Sequence, residues 1–243
     1  MAARTLAALT AAALTFAVGA FAAPSASAAP ECSDVEVIFA RGTDEAPGIG
    51  KVGKAFVDTL KPMVKGKSVS SYAVRYPATW DFMKAAVGAN DMSKRVQSVA
   101  AKCPKTKIVL GGYSQGAAVV DVVATAPIAG LGYTAPLPAA LAPRITSIVV
   151  FGNPSARIGN PLTRMSVVYG SRTADLCAPA DPVCSLGRDW DSHVRYQESG
   201  LVELGAEWAA KLIKAADQKP ATPSSPAVPK TDAAQGTSAS STR

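Results

Sequence analysis

Few residues in this chain have both the type and the spacing to do chemistry. Gly112-Tyr113-Ser114-Gln115-Gly116 spells Gly-x-Ser-x-Gly between an apolar run and a helical pattern. That is the setting in which a serine is held on a strained strand-to-helix turn with its oxygen projecting above a sheet, while small flanking residues let neighbouring backbone pass close by. A serine hydroxyl needs a base to take its proton, and the chain has one histidine, His193. His193 follows the serine in the polar segment Asp189-Trp190-Asp191-Ser192-His193, where the chain order serine, acid, histidine places the base. The acid must come from Asp121, Asp175, Asp181, Asp189 or Asp191. Asp181 is the choice, because it lies between Cys177 and Cys184, a loop that a disulfide would immobilise, and an orienting carboxylate needs a fixed position. Asp121 falls on the helix after the serine and points elsewhere. Asp189 and Asp191 are so near His193 that their shared loop would have to double back. Plainer roles compete for two of these residues: Ser114 as a helix cap and Asp181 as an Asx turn before Pro182. The chemistry predicted is two-step acyl transfer, with Ser114 attacking, His193 moving the proton and Asp181 holding one tautomer of the imidazole. Since the imidazole must be neutral to act as base, activity should fall on acidification.

Positioning these groups requires alternating strands and helices, and the sequence supplies them. Strands are predicted over 35–40, 68–76, 107–112, 145–151 and 165–169, and helices over 52–64, 85–101, 117–126 and 202–216. Runs such as Ile108-Val109-Leu110 and Ile148-Val149-Val150-Phe151 are apolar without alternation, as expected of parallel strands covered by helices on both faces. The class is α/β, a three-layer α/β/α arrangement.

The rest of the chain bounds the setting. Of 243 residues 48% are hydrophobic and 18% charged, so one real core can form and bulk disorder is excluded. Arg4 is followed by no charge until Glu31, with an apolar stretch over 6–22 and Ala26-Ser27-Ala28 after it. This pattern predicts a signal peptide over 1–28 and a secreted, extracellular protein with no later membrane span. A domain over 29–217 follows. From Gln218 the chain turns to Pro, Ala, Ser and Thr without apolar periodicity, which predicts a disordered tail over 218–243. Four cysteines, Cys32, Cys103, Cys177 and Cys184, default to disulfides in an oxidising compartment. Three pairings are open, and the spacings make one local and one long bridge the simplest. On loop entropy they would contribute roughly 2.5 and roughly 4 kcal/mol. Zinc is not expected, for want of Cys-x-x-Cys and of a second histidine. The formal charge is +7, or +6 once Arg4 leaves with the leader. The basic residues are scattered, which argues against nucleic acid but allows weak association with an anionic cell envelope. Gly48-Ile49-Gly50-Lys51-Val52-Gly53 matches the dinucleotide fingerprint in spelling only. It begins too far past the first strand, and no acidic residue closes the second strand to hold a ribose.

Taken together, these motifs resemble the cutinase family over most of residues 32 to 215, and most closely its bacterial, mycobacterial-type members. The carriers are Ala40-Arg41-Gly42-Thr43-Asp44-Glu45, Gly112-Tyr113-Ser114-Gln115-Gly116-Ala117, the Asp181 loop and His193. The resemblance implies a lidless α/β-hydrolase fold on a five-stranded parallel sheet, with disulfides Cys32–Cys103 and Cys177–Cys184. It also implies an oxyanion hole formed by the backbone amides of Thr43 and Gln115, with the Thr43 hydroxyl as a further donor. Such donors face the charge that develops on the carbonyl oxygen. The implied activity is a secreted serine esterase acting on carboxylic esters of short- to medium-chain fatty acids, cutin and other polyesters included, as a monomer and without a cofactor. Lipase, phospholipase A, thioesterase and acetylxylan esterase share this chemistry or fold, and a non-catalytic envelope-binding protein is the alternative of another class. Trp80, Phe82, Val183 and Leu186 are the candidates for an apolar substrate rim.

Overall fold

Five strands, the central three continuously apolar or nearly so, pair as one parallel sheet in a computed structural model that describes residues 32–218. The expected leader, and the tail from residue 219, lie outside the described residues. The strands are β1 (Val35–Ala40), β2 (Val69–Ala73), β3 (Lys107–Tyr113), β4 (Ile145–Phe151) and β5 (Thr173–Leu176), in the order β2-β1-β3-β4-β5. The main helices are α1 (Gly50–Met63), α2 (Ala85–Lys102) and α3 (Gln115–Thr125). Short helices α4 (Pro154–Arg157), α5 (Leu162–Met165) and α6 (Trp190–Val194) precede the long α7 (Leu201–Gln218).

Both faces of the sheet are covered, which is why its central strands read as unbroken apolar runs. Val37, Phe39, Val109, Val149 and Phe151 pack with Phe56 and Leu60 of α1 and Ala206 and Ile213 of α7. On the other face Ile38, Leu110, Ile148 and Val150 pack with Val96 of α2 and Val120 of α3. In α7 the buried Val202, Gly205, Ala206, Ala209, Ala210 and Ile213 recur at three- and four-residue steps, the stripe of an amphipathic helix. Pro62, which has no N–H to give to the preceding turn, is tolerated in the last turn of α1. The α7 helix includes Gln218, which the sequence reading gave to the tail.

One strand was expected in the wrong place. The apolar run Met165-Ser166-Val167-Val168-Tyr169 is not a strand; the fifth strand is Thr173–Leu176. Ser166 supplies the reason. Its N–H reaches Leu162 O, its hydroxyl donates to Ala124 O and accepts from Tyr169 N, local bonds that compete with an extended ladder. Val167 is left fully exposed. The second strand is also shorter than expected. After Val74 N donates to Phe39 O, Arg75 N turns to the Asp91 carboxylate at 2.9 Å and the chain leaves the sheet.

Both disulfides are present, Cys32–Cys103 and Cys177–Cys184, with Cα separations of 5.5 and 5.8 Å. Among the described residues no helix is long and apolar enough to cross a membrane.

Candidate active site

At the C-terminal end of β3 the chain reverses into α3 through Ser114, whose φ is 55° and ψ −119°. This is a sparsely populated conformation for a non-glycine residue, of the kind kept where surrounding structure enforces it. The enforcement comes from both sides. Ser114 N donates to Phe151 O of β4 and Ser114 O accepts from Ala117 N of α3, each at 2.9 Å. A Cβ on Gly116 would overlap the carbonyl of Ala40, and one on Gly112 would overlap that of Gly116. The motif glycines are therefore demanded by the close approach of β1, β3 and the first turn of α3. Ser114 makes no side-chain cap to α3, so the plainer role for it fails.

Its hydroxyl instead lies 3.0 Å from His193 Nε2, and His193 Nδ1 lies 2.8 Å from Asp181 Oδ2. The three residues, separated by 79 and 12 positions along the chain, form one buried chain of polar atoms. His193 is carried by α6, whose first turn is capped by Asp189 through Asp191 N at 3.0 Å and the Ser192 hydroxyl at 2.7 Å. Asp189 thus holds the helix that holds the histidine. Asp121 and Asp175 point away and are bridged by the Asn153 amide, 3.0 Å from each.

Asp181 is fully buried yet ionises easily. Burial works to raise its pKa, but hydrogen bonds from His193, from the Tyr196 hydroxyl and from Val183 N, with the charge on His193, together hold it below the usual carboxylate value. The Val183 bond, 2.7 Å to Oδ1, is the Asx-type turn foreseen as a plainer role, so turn and acid use the same carboxylate at once. Gly152, with φ 58°, passes beneath this pair. A side chain there would stand 3.1 Å from His193 Cε1 and 3.2 Å from Asp181 Oδ2.

Thr43 and Gln115 lie on the loop after β1 and at the start of α3. Among the described residues neither main-chain N–H has a hydrogen-bond acceptor. The Thr43 loop is pinned from below. Buried Arg41 donates to Glu45 O at 2.7 Å and Tyr76 O at 2.9 Å, and the Glu45 carboxylate accepts from Gly42 N at 2.7 Å and Lys51 N at 2.8 Å. That carboxylate occupies the N-terminus of α1, the place a nucleotide phosphate would need. The Gln115 side chain is buried and donates to Thr79 O at 2.7 Å.

Of the rim candidates, Trp80 and Phe82 stand exposed on the loop held by Gln115, and Trp80 Nε1 donates to Asp44 Oδ2 at 2.6 Å. Leu186 is exposed beyond the Asp181 loop, while Val183 is half-buried. Exposed Met83, next to Phe82, and exposed Trp190, whose ring lies 5.9 Å from that of His193, were not singled out in the sequence. Tyr113 and Tyr196 also escaped the sequence reading. Tyr113 stacks on His193 with ring centroids 5.1 Å apart and donates to His193 O at 2.6 Å. Nothing about Tyr196 but its place three residues after His193 could have flagged it. Among the described residues no group of three or more His, Cys, Asp or Glu gathers to hold a metal.

Comparison with known proteins gives the family and the fold. The Cutinase family profile matches residues 31–213. Phospholipase Culp4 of Mycobacterium tuberculosis is 49% identical over 191 residues, 79% of this chain and 83% of that protein. Carboxylesterase Culp1 of Mycobacterium bovis is 42% identical over 195 residues, 77% of this chain and 85% of its own. A Trichoderma reesei cutinase solved with a C11Y4 phosphonate inhibitor superposes with a TM-score of 0.61 at 32% identity, covering 75% of this chain and 77% of that one. An acetylxylan esterase with a TM-score of 0.65 at 23% identity, covering 75% of this chain and 100% of that one, shares the fold. An α/β-hydrolase core that carries this serine elbow, matched by the profile over most of its length, places the chain in the cutinase family.

Proposed function

We propose that this carboxylic ester hydrolase works by two-step acyl transfer at Ser114. The observation that carries the reading is the contact chain from Ser114 Oγ through His193 to Asp181, 3.0 and 2.8 Å long, mounted on a sparsely populated backbone turn of the kind found at functional sites. Ser114 Oγ bonds to the ester carbonyl carbon as its proton passes to His193 Nε2. The carbonyl electron pair moves onto oxygen, facing the unpartnered amides of Thr43 and Gln115 and the Thr43 hydroxyl. When the carbon–oxygen bond to the alcohol breaks, His193 returns the proton to the leaving oxygen, and water repeats the sequence on the acyl-enzyme. Asp181 keeps the Nδ1 proton in place throughout.

The substrates proposed are esters of short- to medium-chain fatty acids, bound against the exposed Trp80, Phe82 and Leu186 more by shape and apolar contact than by polar readout. Two disulfides support a site of action outside the cytoplasm. The test is hydrolysis of a p-nitrophenyl ester series, butyrate through palmitate, by wild type and Ser114→Ala. Turnover should fall on the order of 10⁴-fold or more in the variant, with a wild-type optimum among the shorter chains. Folded wild type that hydrolyses none of the series, or a variant that keeps its rate, overturns the reading. Salt-sensitive retention on anionic envelope material without hydrolysis would point to the binding protein instead.

A further inference from the structure

Oδ2 of Asp181 has two partners, not one. Besides His193 Nδ1 it accepts the Tyr196 hydroxyl at 2.7 Å, and that hydroxyl in turn accepts Ala178 N at 3.0 Å. The phenol therefore ties together the start of the acid loop, the carboxylate and the segment three residues beyond His193. It is fully buried, caged by Tyr113, Phe151 and His193 at ring-centroid distances of 5.6, 6.0 and 6.2 Å. Burial pushes its own pKa well above the usual phenol value, so it stays a neutral O–H and can only donate toward the carboxylate.

We propose that Tyr196 is a positioning residue of the hydrolytic reaction: its hydroxyl fixes the Asp181 carboxylate and tempers how strongly that carboxylate draws on His193. The inference rests on the acyl-transfer reading above and goes beyond it, since the triad alone does not require a second donor. The charged and polar groups facing the carboxylate are His193 from α6, Tyr196 after it and Val183 N from the acid loop itself. With three donors the negative charge is shared; with two, more of it falls on the imidazole and the imidazolium is held more tightly.

The experiment is Tyr196→Phe, which removes one oxygen and keeps the ring, beside Tyr133→Phe as control. Tyr133 is also buried, and its hydroxyl accepts Leu137 N at 3.2 Å in the layer packed on α2 and α3, away from the site. For Tyr196→Phe on p-nitrophenyl butyrate, kcat should fall about tenfold with KM nearly unchanged, as for loss of an orienting partner. The acid limb of the kcat/KM profile should move to higher pH. Tyr133→Phe should lose comparable stability and keep the wild-type acid limb. A Tyr196→Phe enzyme with the wild-type kcat and acid limb, or with losses that Tyr133→Phe reproduces, overturns the proposal. Wild type offers an independent reading by proton NMR. A slowly exchanging Tyr196 hydroxyl proton should shift with the titration of the Asp181–His193 pair, and one indifferent to it overturns the proposal even were Tyr196→Phe too unstable to assay. Loss of all turnover in wild type would strike at the esterase reading, whereas an active wild type with a dead Ser114→Ala and an unaltered Tyr196→Phe strikes at this inference alone.

Discussion

Asp181 and Asp121 both put a carboxylate into the interior, one beside the layer formed by Tyr196 and Phe151 and the other on α3 in the opposite layer. Their chemistry diverges. Asp181 is held below the ordinary carboxylate range although burial opposes it, because an imidazole, a phenol and a main-chain N–H all donate to it. Asp121 is pushed up to about 7, chiefly by burial and further by its neighbour Asp175. The Ser155 hydroxyl at 2.7 Å and the Asn153 amide offset this only in part. Burial alone therefore does not set the charge of a carboxylate. What decides is how far the hydrogen bonds it accepts outweigh burial, with neighbouring charge adding less: those from His193, Tyr196 and Val183 do so at Asp181, those from Ser155 and Asn153 do not at Asp121. The first pocket keeps an anion beside His193; the second tends to keep a proton.

The largest expected effect breaks the first half of this contrast. Asp181→Asn should lower kcat by about 10³- to 10⁴-fold with the fold intact, because an amide cannot hold the productive tautomer of the histidine. A loss under tenfold in steady-state kinetics would move the orienting role to another group. Next in size, the double variant Cys177→Ser, Cys184→Ser removes the tie around the seven-residue span that carries Asp181. It should cost roughly 2.5 kcal/mol in urea unfolding and lower kcat more than it alters KM. An unchanged kcat would mean that the hydrogen bonds to Asp181 suffice without the tie.

The smallest effect on turnover sharpens the second half. With its folded value raised to about 7 from 3.8, Asp121 retains in the native state a proton that the unfolded chain has released. Its contribution to stability is thus complete below about pH 4, declines as pH rises to about 7 and is flat above. Asp121→Asn keeps the shape and, by turning its amide to Ser155 and its oxygen to Asn153, keeps the bonds. It should raise stability at pH 8 by roughly 4 kcal/mol and leave stability at pH 4 unchanged. Equal stability of the two proteins at pH 8 would mean that Asp121 ionises without penalty, and the contrast with Asp181 would collapse.

Much of this site was legible in the sequence because it was written as types and order. Ser114 between two glycines, one histidine downstream and one aspartate between two cysteines name a short list of chemistries. Strands buried on both faces, β1, β3 and β4, were equally plain. What stayed hidden was relational. Thr173-Ala174-Asp175-Leu176 has no apolar run, and it is a strand because β4 pairs with it. Met165–Tyr169 has the run, but the Ser166 hydrogen bonds curl it into a turn. Asn153 and Tyr196 are ordinary residues until the fold sets two carboxylates beside the first and a histidine and an aspartate beside the second. No spacing rule encodes such convergence, since it depends on which loops the completed sheet brings to one end.

The two disulfides also fix how the molecule comes apart when cut. Cys32–Cys103 makes a closed ring of the chain that includes Thr43 and Trp80, and Cys177–Cys184 closes a small ring around Asp181. No cross-link spans the stretch between Cys103 and Cys177, where Ile128 and Leu131 lie 75% and 87% exposed. A protease nick inside either ring leaves one covalent molecule until reductant is added. A nick near Leu131 yields two separable chains, one bearing Ser114 and the other His193 and Asp181, held together by the pairing of β3 with β4 and the packing of α1 on α7.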